Sequence, residues 1–140
     1  MLKDRFFRTK LLIGEEALDK LKECRVAVFG LGGVGSYVTE ALARSGIGSM
    51  DIFDGDVVDI TNINRQIIAL ESTVGMPKAE VSKKRIKDIN PNIDVKSYNC
   101  FFNKDNQHDF DFSKYDYVVD AIDMVSSKLL LVKICKDLNV

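Results

Sequence analysis

Apolar and polar positions alternate along this chain in two distinct periods. Short apolar or alternating runs at 25–29, 49–53, 94–98 and 117–122 predict strands, the last as a nearly continuous apolar run. Stretches with apolar positions three and four residues apart predict helices over 14–21, 35–45, 77–89 and 126–138. An irregular polar stretch is expected over 55–71, and a polar loop with a short helix over 103–114.

The order of these elements predicts an α/β fold. Strands that alternate with helices indicate a Rossmann-like, doubly wound, mainly parallel sheet with helices on both faces, preceded by an N-terminal helix. After the last predicted helix the pattern requires another strand, which Asn139 and Val140 approach. We therefore expect residues 1–140 to be one domain, truncated at its C-terminus, from the N-terminal part of a longer protein.

The composition narrows the function classes. A hydrophobic content of 46% is ample for a packed core, and a net charge of −1 argues against a general nucleic-acid binder. No apolar run approaches the about 20 residues that span a membrane, so no membrane contact is expected. Cys24, Cys100 and Cys135 are scattered without metal-site spacing. Their scatter favours a cytoplasmic protein, and each is expected to be a buried or half-buried small apolar residue and not a nucleophile.

A glycine-rich turn lies between the first predicted strand and the helix after it. Gly30, Gly32 and Gly35 fit the G-x-G-x-x-G spacing, and Gly33 adds a fourth glycine. In this spacing the first glycine makes a tight turn, the second lets the backbone approach a phosphate, and the third lets the helix pack closely on the strand. The first N–H groups of the helix and the positive end of its dipole then point at the phosphate. The chain is therefore predicted to bind a nucleotide, although the glycines could also serve only a close strand–helix crossing.

Three further segments distinguish between nucleotides. Asp54 ends the second predicted strand about 20 residues past the glycines, where a carboxylate can hold ribose hydroxyls or cap the strand. The segments 62–66 and 75–80 add two cations and a run of amides, and a paired carboxylate closes 120–123. Cations offset triphosphate charge and a carboxylate can hold Mg²⁺, which favours ATP over a nicotinamide cofactor. A nicotinamide-dependent oxidoreductase remains an alternative.

These motifs resemble a known family in their order. GxGGVGS, Asp-Gly-Asp, NxNRQ, GxPKAE and DAID are similar to the ubiquitin-activating-enzyme-like adenylation superfamily, which includes ThiF-type proteins. The resemblance covers nearly the whole chain. Within the superfamily, 41–48, 62–67 and the N-terminal segment resemble most the tRNA threonylcarbamoyladenosine dehydratases. Adenylyltransferases that act on ubiquitin-like proteins usually carry glutamine where this chain has Asn64.

The resemblance implies a role for each matching residue. Asp54 would hold the ribose, Lys78 would stabilise developing charge, and Asp123 would hold Mg²⁺. Arg8 would reach the ATP of a neighbouring subunit in a homodimer. The remaining ATP contacts implied are Gly30, Gly32, Gly33, Gly35, Asn62, Arg65 and Gln66.

The resemblance also implies a reaction. ATP would adenylate the carboxylate of threonylcarbamoyladenosine in tRNA, and ring closure onto the activated carbonyl would complete a dehydration. A sulfur-relay protein is a possible partner. The alternatives are an adenylyltransferase that activates the C-terminal glycine of a ubiquitin-like sulfur carrier, and a nucleotide-binding scaffold without turnover.

Several residues also have a purely structural interpretation. Arg65 could form a surface ion pair and Lys78 could be solvated. Asp120 is expected to cap a helix or orient Asp123, which we favour as the ligand. His108, the only histidine, is expected to be solvated. A basic helix face could meet tRNA phosphates but is better explained as solvated; it comprises Lys83, Lys84, Arg85 and Lys87.

Overall fold

A computed structural model describes residues 4–140 and contains a four-stranded, fully parallel sheet. The strands are β1 (Arg25–Phe29), β2 (Ser49–Phe53), β3 (Asp94–Tyr98) and β4 (Tyr117–Asp120), in the order β3-β2-β1-β4. Five helices accompany them in the described part of the chain: α1 (Phe7–Ile13), α2 (Glu15–Glu23), α3 (Gly35–Ser45), α4 (Lys78–Ile89) and α5 (Val125–Leu138). The predicted Rossmann-like α/β fold is thereby confirmed.

The strand order places a topological switch point beside β1. From β1 the chain proceeds outward through α3 to β2 and through α4 to β3, and then returns across the sheet to β4 on the other side of β1. In such sheets ligands bind outside the carboxyl ends of the strands at the point where the order reverses. The glycine turn that follows β1 lies at this point.

The two faces of the sheet bury different side chains. Alternate residues of β1 and β2, such as Val28 and Ile52, pack with α3 and α4 in an aliphatic core. On the other face Phe29 and Phe53 stack with ring centroids 4.2 Å apart, and α5 covers them together with the segment between β3 and β4. This closely packed aromatic layer supports the carboxyl ends of β1 and β2.

A buried carboxylate joins three elements at the aromatic face. Asp51 of β2 is fully buried, and its side chain accepts hydrogen bonds from Arg25 Nη2 at 2.6 Å and from the Tyr115 hydroxyl at 2.7 Å. Burial and the Asp51 carboxylate raise the pKa of Tyr115 far above its ordinary value, so this hydroxyl stays a donor. The network pins the chain entering β4 to the centre of the sheet.

One helix and several element boundaries differ from the sequence prediction; the bounds of α2, α4 and α5 shift by one or two residues. Helix α1 was not predicted, because it buries none of its residues and has no buried face to give a periodic pattern. Strand β4 ends at Asp120 instead of residue 122, because the Asp120 carboxylate accepts the Ile122 N–H and turns the chain out of the sheet. Pro77 precedes α4 as its N-cap residue.

The loop over 103–114 is less polar than predicted. It contains two short 3₁₀ turns at 107–109 and 112–114, and Phe112 is buried against Phe29. Within residues 4–140, none of the helices has the length and apolar character needed to cross a membrane.

Candidate nucleotide-binding site

A cavity of about 520 Å³ opens at the carboxyl edge of the sheet. Its walls come from the glycine turn after β1, the end of β2, the segment between β2 and α4, and the loop after β4. Nine of the residues predicted to bind nucleotide, metal or developing charge line it: Gly30, Gly32, Gly33, Asp54, Asn62, Arg65, Gln66, Lys78 and Asp123. Residues up to 93 positions apart in sequence (Gly30 and Asp123) thus share one cavity.

Two of the four glycines are required by chain packing. Gly30 has φ +90°, and a Cβ there would lie 2.4 Å from the Ala121 carbonyl oxygen. A Cβ on Gly35 would lie 1.7 Å from the Gly30 carbonyl oxygen. Gly35 is not among the residues that line the cavity; it lets α3 pack directly on the turn.

The other two glycines have no such steric reason. A Cβ on Gly32 would meet only Gln66 Nε2 at 3.7 Å, and a Cβ on Gly33 would meet the Arg65 side chain at 3.6 Å. Both are ordinary van der Waals distances, and neither residue has a positive φ. The backbone at these two positions is therefore open to a ligand that approaches the N-terminus of α3.

The Asp54 carboxylate closes the glycine turn. Its Oδ2 accepts the Leu31 N–H at 2.7 Å, and its Oδ1 accepts the Asp56 N–H at 2.8 Å. Asp54 is buried and each oxygen retains a second lone pair. The residue predicted to hold a ribose therefore also joins the end of β2 to the turn after β1.

The segment 62–66 supplies amides and a guanidinium. Asn62 is buried, and its Oδ1 accepts the Asp59 N–H at 2.9 Å, which leaves its Nδ2 group available to the cavity. Gln66 is also buried, and its Oε1 has no partner within residues 4–140. Arg65 is exposed, with Nη1 bonded to the Thr61 carbonyl at 3.1 Å and to Asn64 Oδ1 at 2.9 Å.

Lys78 places a buried positive charge in the cavity wall. Its side chain is only 7% exposed, and its Nζ lies 3.5 Å from Asp56 Oδ2. Lysine is rarely buried this deeply without a close partner, and its position in the first turn of α4 opposes the helix dipole. An anion in the cavity would satisfy this ammonium group.

The two aspartates after β4 have separate environments. Asp120 Oδ1 accepts the Ile122 N–H at 3.1 Å and lies 3.0 Å from Lys128 Nζ. Asp123 is exposed, lines the cavity, and makes no hydrogen bond or ion pair with any residue from 4 to 140. This geometry favours Asp123 over Asp120 as a ligand for a cation.

The protein alone offers few metal ligands. In the portion of the chain that the structure describes, no three His, Cys, Asp or Glu side chains are grouped to hold a metal ion. Mg²⁺ commonly binds through one or two carboxylates, with water and substrate phosphates as its other ligands. Asp123 fits such a site if the nucleotide provides the remaining oxygens.

Sequence reasoning missed two residues in the cavity wall. Asp56 is the partner of Lys78, and Phe101 is exposed with its ring packed on Gly55, where a Cβ would lie 2.5 Å from Phe101 Cδ2. Asp56 belongs to the Asp-Gly-Asp motif of the resemblance, but no role was assigned to it, and no motif included Phe101. Cys100 also lines the cavity, and burial raises the pKa of its thiol, which agrees with a role other than nucleophile.

Other candidates lie away from the cavity. Arg8 is an exposed residue of α1 and is not among those lining it. His108 is exposed, as expected. Two members of the basic face of α4 are engaged within the chain: Arg85 pairs with Glu40, and Lys87 bonds the carbonyls of Pro91 and Ile93. A continuous phosphate-binding face on α4 is therefore not favoured.

The arrangement combines a glycine cradle, two cations and one free carboxylate around a single cavity. Backbone N–H groups at the start of α3 suit phosphate oxygens, and the two cations, Arg65 and Lys78, suit charge developing during attack at phosphorus. Among residues 4–140, none of those lining the cavity is a histidine, and burial raises the pKa of the Cys100 thiol. These groups can support attack of a substrate group on a phosphorus atom of the nucleotide.

Known proteins are similar to this chain in sequence and in fold. A tRNA threonylcarbamoyladenosine dehydratase from Bacillus subtilis is 49% identical over 130 residues, or 93% of this chain and 51% of that protein. The crystal structure of Escherichia coli tRNA N6-threonylcarbamoyladenosine dehydratase in complex with ATP is 41% identical, with a TM-score of 0.91 over 100% of this chain and 59% of that one. A probable molybdopterin-synthase adenylyltransferase from Porphyra purpurea is 35% identical over 124 residues, covering 89% of this chain and 32% of that protein.

Family membership follows from the extent of the match. The chain spans about half the length of the curated dehydratases it matches. The sequence pattern of the ThiF family matches residues 7–140, which include all five motifs and the whole cavity wall. The chain belongs to the ThiF family.

Proposed function

We propose that this chain is the ATP-binding adenylation domain of a tRNA threonylcarbamoyladenosine dehydratase. The observation that carries the proposal is the cavity, in which a glycine cradle, Arg65, Lys78 and Asp123 converge. The identity of 49% to a dehydratase and of 35% to a probable molybdopterin-synthase adenylyltransferase supports the first activity over the second. Asn64, found where the adenylyltransferases usually carry glutamine, supports the same choice.

In this proposal the triphosphate lies across the glycine turn. Gly32 and Gly33 admit it to the backbone at the N-terminus of α3, where the helix dipole favours negative charge. Asn62, Arg65 and Gln66 contact the phosphates, and the Asp54 oxygens that already accept backbone N–H groups use their second lone pairs for the ribose.

The substrate carboxylate attacks the α-phosphorus and displaces pyrophosphate. Lys78 stabilises the negative charge that develops there, and its low exposure strengthens the interaction because water is excluded. Mg²⁺ held by Asp123 supplies further charge neutralisation when bound. Ring closure on the acyl-adenylate then expels AMP, and no protein nucleophile is needed.

The remaining parts of the proposal concern assembly and location. We propose a homodimer in which Arg8 of one subunit reaches the nucleotide of the other. A sulfur-relay protein is a further possible partner. The three cysteines are free, which supports a cytoplasmic location.

Nucleoside mass spectrometry of tRNA tests the proposed substrate. Cells that lack the full-length gene should accumulate threonylcarbamoyladenosine and lose its dehydrated, cyclised form. The wild-type gene and a Lys133→Ala variant should restore the cyclic nucleoside, because Lys133 is exposed on α5 and does not line the cavity. A Lys78→Ala variant should not. An unchanged nucleoside profile in the deletion strain would refute the proposed activity.

The second candidate, an adenylyltransferase for a ubiquitin-like carrier, is tested with purified full-length protein. Pyrophosphate release from ATP should rise on addition of tRNA containing threonylcarbamoyladenosine. Release that responds instead to a small carrier protein ending in glycine would favour the second candidate. ATP binding without pyrophosphate release under either condition would indicate a non-enzymatic scaffold.

A further inference from the structure

The loop that carries Asp123 is held by a lysine to which no motif assigned a role. Lys128 Nζ donates to the Ile122 carbonyl at 3.1 Å, and the Lys128 backbone N–H donates to the Met124 carbonyl at 3.0 Å. Lys128 therefore bonds the carbonyls of the residues before and after Asp123, the first through its side chain and the second through an ordinary first-turn helix bond. Only the bond to Ile122 depends on the side chain, because it needs a long donor that folds back over the start of its own helix.

The same ammonium group also holds the residue that ends β4. Lys128 Nζ lies 3.0 Å from Asp120 Oδ1, and that oxygen in turn accepts the Ile122 N–H. The backbone of Ile122 is thus held at its N–H by Asp120 and at its carbonyl by Lys128. Ala121 anchors the loop to the sheet through its N–H, which donates to the Phe29 carbonyl at 2.8 Å.

These contacts leave one group of the loop unused. The Asp120 charge is compensated by Lys128, whereas the exposed Asp123 carboxylate, which lines the cavity, has no partner in residues 4–140. We propose that Lys128 is a positioning residue that fixes the Asp123 carboxylate for the metal–nucleotide complex. The proposal rests on the proposed function, in which Asp123 is the metal ligand.

Metal-linked nucleotide binding by the full-length protein tests this role. ATP affinity is measured by calorimetry in EDTA and across a Mg²⁺ titration. In Lys128→Met the Mg²⁺ concentration that half-saturates the affinity gain should rise about ten- to a hundredfold, as for other residues that orient a metal ligand. Affinity in EDTA should stay at the wild-type value. Lys128→Arg should restore the metal response, because a guanidinium can donate to both oxygens.

The control is Lys133→Met, which removes an exposed lysine of the same helix and should behave as wild type. Asp123→Ala should abolish the metal response, and adding Lys128→Met to it should change nothing further. An equal loss of affinity with and without Mg²⁺ in Lys128→Met would overturn the inference, because it would indicate a general structural role. An unchanged metal response in Lys128→Met would overturn it as well.

The outcomes separate this inference from the proposed function. If Asp123→Ala retains the metal response, the assigned role of Asp123 fails and the role of Lys128 falls with it. If Asp123→Ala loses the response but Lys128→Met keeps it, only the role of Lys128 fails. Should Lys128→Met not fold, Asp120→Asn removes the ion pair while keeping an acceptor for the Ile122 N–H. That variant must then shift the Mg²⁺ requirement in the same direction, and an unchanged requirement would overturn the inference.

Discussion

Alanine substitutions in the glycine turn should separate chain packing from ligand binding. At Gly35 the new methyl carbon would lie 1.7 Å from a backbone oxygen and 2.7 Å from the Gly30 carbonyl carbon, so α3 must move off the turn. Overpacking of a core typically costs about 1–3 kcal/mol. A clash with backbone atoms at this distance should exceed that range, because backbone cannot rotate away as a side chain can.

At Gly32 the same methyl group should leave the fold unchanged. Its nearest neighbour would be Gln66 Nε2 at 3.7 Å, and the backbone conformation is open to any residue. Replacing glycine by alanine at such a position raises the free energy of unfolding by about 0.4–1 kcal/mol, because the unfolded chain loses conformational entropy. The methyl group should, however, displace a phosphate oxygen from the backbone N–H groups.

Losing one charge-assisted hydrogen bond costs about 1.5–3 kcal/mol, which corresponds to roughly a ten- to hundredfold loss of ATP affinity. Urea denaturation and ATP titration calorimetry on full-length Gly32→Ala and Gly35→Ala measure the two effects separately. Wild-type ATP affinity in a folded Gly32→Ala variant would refute the reasoning. The absence of side chains in the turn would then need another explanation.

Three further substitutions test the site and its support. Lys78→Ala should leave the fold intact and lower pyrophosphate release about a hundred- to a thousandfold, as measured by a coupled phosphate assay; turnover near wild type would remove its assigned role. Asp51→Ala leaves the Arg25 guanidinium without its buried partner and should cost about 3–5 kcal/mol in urea denaturation; a loss within experimental error would contradict the buried-network description. The Arg85 guanidinium holds the pKa of Glu40 below its ordinary value of 4.5. The contribution of the Glu40–Arg85 pair to the free energy of unfolding is therefore complete above about pH 4.5, and it is lost as the pH falls through the lowered pKa of Glu40. In Glu40→Gln the urea midpoint should depend less on pH in the acid range. An unchanged pH dependence in this variant would show that the Glu40–Arg85 pair is not its cause.

The regular elements were predictable because their burial is periodic. β1, α3, β2 and β3 have the bounds expected from the sequence, since each has a face or both faces buried in the two cores. α1 escaped prediction because Leu11 and Leu12 stay exposed and no buried stripe marks the helix. The end of β4 depended on one side chain turning back on its own backbone, which an apolar run does not reveal.

The site was predictable as a set of motifs but not as a set of contacts. Motif order indicated that Arg65, Lys78 and Asp123 would meet, and they line one cavity. The G-x-G-x-x-G spacing predicted close helix packing at Gly35, and the 1.7 Å approach of a Cβ there to the Gly30 carbonyl oxygen agrees with that role. The resemblance also placed Gly35 among the ATP contacts, but Gly35 does not line the cavity. The contacts of the Lys128 side chain with Asp120 and Ile122 also depend on the fold-back of a helix residue onto a preceding loop, which no spacing rule describes.

Asp54 has one observed role, in holding the glycine turn, and one proposed role, in holding the ribose, and a substitution of Asp54 would alter both. Its carboxylate already accepts two main-chain amides, so an asparagine at this position would present an NH₂ group to one of them and open the turn. Weak nucleotide affinity in such a variant would have two indistinguishable origins. The discriminating change is in the ligand: 2′-deoxy- and 3′-deoxy-ATP remove one sugar hydroxyl at a time and leave the protein scaffold untouched.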